Sequence, residues 1–101
     1  MPKKFVFHGK EYKYVRSRKL KDKSGYCSNP NSKKKRRIIS VEACLKDKDE
    51  LEINIHEFMH ACGWFADEEW IGESALDIAN ALWELGYRKN ERTKTPEEGS
   101  N

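Results

Sequence analysis

Residues 51–64 read LEINIHEFMHACGW, and the reading of this stretch decides the second half of the fold as well as the chemistry. It contains His56-Glu57-Phe58-Met59-His60, a HExxH motif. On a helix, residues four apart project from one face one turn apart, so both imidazoles reach toward a single metal ion with Glu57 beside them. Leu51, Ile55, Phe58, Met59 and Cys62 fall at i, i+4, i+7, i+8 and i+11, an apolar stripe of helical period on the other side of the wheel. Asp47, Asp49 and Glu50 suit the positive end of the helix dipole, and Gly63 stands where a left-handed cap would close the helix. The expectation is an amphipathic helix that buries one face and offers the other to a metal.

Downstream, Asp67-Glu68-Glu69 reads as an N-cap and acidic first turn. Ile71, Ala75, Ile78, Leu82 and Leu85 then recur at i, i+4, i+7, i+11 and i+14, which predicts a second helix ending at Gly86. Glu73, Asp77, Asn80 and Glu84 occupy its other face. Upstream, RRIISVEACL reads as a strand leading into the first helix. At the N-terminus, FVFHGKEYKYV alternates aromatic and β-branched residues with polar ones around Gly9, predicting a hairpin that turns near residues 8–10, with His8 a surface residue. Between these, residues 17–35 are polar and broken by Gly25 and Asn29-Pro30, so a loop is expected around Tyr26-Cys27.

The chain has 101 residues, enough for one small domain. The fold class expected is α+β: a small antiparallel sheet from the N-terminal half, then an active-site helix and a second helix. Residues 1–88 form the domain and 89–101 a disordered polar tail. No long apolar run or signal-peptide pattern is present, so a cytoplasmic protein without membrane contact is expected. Cys27, Cys44 and Cys62 are odd in number and widely spaced, which argues against a disulfide framework or a structural zinc ribbon and for reduced, partly buried thiols.

Charge is unevenly distributed. Residues 1–37 hold 14 Lys and Arg against 2 acids, and residues 38–101 hold 6 against 15, so the halves carry +12 and −9. The basic run Lys33, Lys34, Lys35, Arg36 and Arg37 is a candidate contact for nucleic acid or an acidic partner.

A zinc used in catalysis has three protein ligands and an open position for water, so the two histidines need a partner. Asp67, Glu68, Glu69, Glu73 and Asp77 are the candidates. Glu73 is preferred because Glu73 and Asp77 stand four apart on one helical face. One can bind the metal while the other orients a ligand histidine.

HEFMH followed by a second helix carrying GESALD resembles the gluzincin branch of the zincin metallopeptidases. That resemblance, over roughly residues 37–87, implies one Zn2+ per chain, with His56, His60 and Glu73 as ligands. It also implies Glu57 as general base, Asp77 supporting a ligand histidine, and the strand at residues 37–43 as the edge strand that lines the substrate cleft. The 12 residues between His60 and Glu73 make this a minimal zincin. The metzincin pattern fits less well, since Ala66 stands where its third histidine would be. Tyr87, Arg88, Tyr12 and Tyr14 are candidates for stabilising the oxyanion, Tyr87 foremost. The function expected is peptide or amide hydrolysis, with a peptide or protein as substrate. The alternative is a nucleic-acid-associated or regulatory binding protein, with a non-catalytic zinc site and contacts through its basic half.

Overall fold

The computed structural model describes residues 3–18, 24–31 and 37–89. The basic residues 33–36 and the tail from residue 90 lie outside them. Four strands precede two helices: β1 Lys3–Phe7, β2 Lys10–Ser17, β3 Gly25–Cys27, β4 Ile38–Glu42, α1 Asp47–Cys62 and α2 Glu68–Glu84. The α+β class is as expected from the sequence.

β1 and β2 pair antiparallel through the expected hairpin. Its turn residues His8 and Gly9 both have positive φ, at 51° and 77°, the twist of a two-residue hairpin loop. The sheet order is β1-β2-β4-β3. Here the structure corrects two expectations. The sheet is mixed, because β2 pairs parallel with β4, Tyr14 opposite Ile39 and Arg16 opposite Val41. The strand before α1 is also internal: β3, in the segment expected to be loop, pairs antiparallel along the other side of β4 and is the edge beside α1. A three-residue strand carries too little periodicity to be read from the sequence; its long-range ladder with β4 makes it a strand.

Tyr12, Ile39 and Val41, all fully buried, form the core with Cys27 and Ala61, and Phe7, Tyr14, Ile53, Phe58 and Trp64 pack around them. α1 lies between the sheet and α2. Its buried residues are accordingly Glu57 and Ala61, not the apolar stripe, whose Cys62 is exposed. α1 does end at Gly63, whose N–H donates to the Met59 carbonyl at 2.8 Å. The residue has φ −145°, so the cap is not the left-handed one expected.

Asp67 caps α2, its carboxylate accepting from the Trp70 N–H at 3.0 Å. The helix buries Ile71, Ala75 and Ala79 against α1. Gly86 supplies the positive φ, 97°, just beyond its end. Among the described residues no helix is long and apolar enough to cross a membrane.

Candidate metal centre

The two helices run antiparallel across the short connection at residues 63–67. Their register can be read from three contacts. Lys48 Nζ donates to Asn80 Oδ1 at 2.7 Å, a Cβ on Gly72 would stand 3.9 Å from His56 Cε1, and His60 Nε2 lies 2.8 Å from Glu68 Oε1. Each step forward along α1 is thus one step back along α2. The last turn of α1 faces the first turn of α2, and Glu68 meets the HExxH histidines.

The resulting group is His56, His60 and Glu68, one ligand atom from each lying within 4.8 Å of the others. Glu68 uses both oxygens: Oε1 faces His60 Nε2, and Oε2 faces His56 Nε2 at 3.2 Å. In a tetrahedral site with metal–donor distances of about 2.0–2.1 Å the donors stand about 3.3 Å apart. The donor set is two imidazole nitrogens and a carboxylate, and the Glu68 side chain is 71% exposed, so the three residues suit a metal ion. Burial pushes the His60 pKa down, the neighbouring His56 adds to this, and Glu68 opposes it. A neutral imidazole is the form that ligates.

Glu57 projects from the same helix into the same recess, which has a volume of about 410 Å³. The recess is walled by Ser24, Gly25, Tyr26 and Cys27 of the β3 edge and by Ile53. Glu57 is only 6% exposed. Gly25 makes that placement feasible: a Cβ there would stand 2.7 Å from Glu57 Oε2 and 2.9 Å from Ile53 Cγ2. Cys27, buried on the same side of β3, has its thiol pKa pushed up to about 12 by burial, with the Glu57 carboxylate and Cys62 adding to it.

The site residues expected from the sequence thus divide. His56, His60 and Glu57 line one recess, whereas Glu73 and Asp77 are exposed and outside the group, in which Glu68 is the carboxylate that meets the two histidines. The reason is the register. Glu68, Gly72 and Ala75 share the face of α2 turned to α1, whereas Glu73 is one residue, about 100° of helix, past Gly72. Asp77 falls level with Leu51, beyond reach of either histidine. The first-turn position of Glu68 after a five-residue connection was the signal available for it. Gly25 had no local signal, because its close contact is 32 residues away in sequence.

The oxyanion candidates lie elsewhere. Tyr87, Tyr14 and Arg88 line a groove on the other side of α1, and Tyr12 is fully buried in the core. Tyr26 is the tyrosine that lines the recess. Of the basic run, Arg37 is described, and its Nε donates to the Pro30 carbonyl at 3.2 Å. Trp64 packs on His60, ring centroids 5.8 Å apart.

Compared with models of protein families, with curated proteins and with solved structures, the chain matched none.

Proposed function

We propose that the protein is a zinc-dependent metallopeptidase of minimal zincin type, with His56, His60 and Glu68 as the ligands and Glu57 as general base. The observation that carries this reading is the convergence of two Nε2 atoms and a carboxylate within 4.8 Å, with a nearly buried carboxylate from the same helix in the same recess. When bound, the zinc lowers the pKa of a coordinated water toward neutrality and polarises the scissile carbonyl.

The chain's own residues have distinct parts in the reaction. His56 and His60 present their Nε2 atoms from one face of α1. Glu68 neutralises part of the cation's charge and, being exposed, leaves the solvent side of the site open. Glu57 accepts a proton from the attacking water and passes it to the leaving amine nitrogen, so that the C–N bond breaks to give a free carboxylate and a free amine. Burial beneath β3 fixes the orientation of Glu57 and keeps bulk water from competing for that proton. The β3 edge beside the recess gives an extended peptide a strand to lie along.

The test pairs metal content with proteolysis of an unfolded protein substrate such as casein. Glu57→Gln is expected to retain zinc and lose cleavage, whereas Glu68→Ala loses both. Cleavage that survives Glu57→Gln at full rate refutes the peptidase reading.

A further inference from the structure

We propose that the groove on the opposite side of α1 is a second binding site, for a small amphipathic carboxylate: an apolar chain bearing one anionic head. Its volume is about 920 Å³, within the range of small-molecule sites. Leu51, Asn54 and Phe58 face it, whereas Ile53, His56, Glu57 and His60 face the metal recess, so the helix separates the two. The proposal therefore stands independently of the metal reading.

The groove floor is aromatic. Phe5 lies 5.4 Å from Tyr14 and 5.7 Å from Phe58, with Tyr14 and Phe58 6.1 Å apart, ring centroid to centroid. Trp83 forms a wall, with the Arg88 guanidinium 3.4 Å from its ring centroid. The polar groups left over are mainly donors. Tyr14 donates to Asn54 Oδ1 at 2.6 Å, and the Asn54 amide N–H groups have no partner among the described residues.

Charge points the same way. Lys3, Arg16, Arg88 and Lys89 line the groove against Asp47 and Glu50. Glu50 is held by both Arg16, at 2.8 Å, and Lys89, at 3.1 Å. Lys3 makes no ion pair among the described residues, and Arg88 spends its Nη1 on the Trp83 and Tyr87 carbonyls. Two positive charges in excess at the rim of an apolar groove suit a carboxylate whose chain lies on the aromatic floor. The chain's own residues 90–101, NERTKTPEEGSN, supply no large apolar side chain to take that place.

The experiment is a 1H–15N NMR titration with dodecanoate below its micellar concentration, with dodecylamine as the matched cation, run with and without zinc. Dodecanoate is expected to shift the Trp83 indole and Asn54 side-chain amide signals saturably, equally in both conditions, and to bind at least about tenfold more tightly than the amine. Lys3→Glu with Arg88→Glu, both at the rim, should weaken dodecanoate about tenfold or more while leaving the spectrum folded. Equal affinity for the amine overturns the proposal, as does the absence of shifts at these two residues. Shifts that track protein concentration and resist dodecanoate also overturn it, by assigning the groove to a second copy of the chain.

Discussion

At the residue scale, the site depends on a position where a side chain is missing. A Cβ at Gly25 would overlap Glu57 and Ile53, one contact being the end of a buried carboxylate and the other a branched methyl. Gly25→Ala should destabilise the fold by about 1–3 kcal/mol, read as a lower urea midpoint at unchanged slope; an unchanged midpoint would mean that β3 does not press on α1. Tyr12 gives the opposite expectation. Its hydroxyl is fully buried and has no hydrogen-bond partner among the described residues. Tyr12→Phe is expected to be neutral or stabilising by up to about 1 kcal/mol, since it removes an unpaired polar group; a clear loss of stability contradicts this.

Cys27 adds a pH dependence. Its thiol is pushed from 9.0 up to about 12, chiefly by burial. In that window the folded chain keeps a proton that the unfolded chain has lost. The contribution is absent below pH 9 and lowers stability progressively as pH rises toward 12. At pH 8, iodoacetamide should modify the exposed Cys44 and Cys62 first and reach Cys27 only after denaturation.

At the element scale, the register between α1 and α2 is the determining feature. Local signals of the helices were legible: the HExxH face, the cap at Asp67, Gly63 and Gly86 at the ends, and the period of Ile71 and Ala75. The hairpin around Gly9 was legible too, because its turn chemistry and alternation are local. The mixed sheet was not, since the parallel pairing of β2 with β4 is a long-range choice that no window of residues encodes. Glu68 stands between these cases. The helix that carries it was readable, but which carboxylate meets His60 depends on the antiparallel register across residues 63–67. Glu73 stands four residues before Asp77, as the resemblance requires, but is exposed and outside the His56, His60 and Glu68 group. The Asp67 cap fixes where that first turn begins, so Asp67→Ala is expected to cost about 1 kcal/mol in thermal or urea unfolding. It should also weaken metal binding, because Glu68 is the next residue; a variant that loses stability but binds zinc as wild type would separate the cap from the site.

At the scale of the whole molecule, one helix lines both the recess and the groove. α1 is packed by the sheet on one side and by α2 on another, which leaves a polar recess and an aromatic groove on its two remaining flanks. The acidic half of the chain supplies both helices, and Arg16 of the basic half ties α1 to the sheet through Glu50 and the carbonyls of Glu42, Ala43 and Leu45. Two helices brought together in this register, we propose, hold a metal between His56, His60 and Glu68. Elemental analysis of the purified protein after zinc loading tests it most directly, with Glu68→Ala and Glu73→Ala side by side. About one zinc per chain is expected in the wild type and in Glu73→Ala, with loss of the metal in Glu68→Ala. Zinc retained by Glu68→Ala and lost by Glu73→Ala, or a wild type that takes up none, would contradict it.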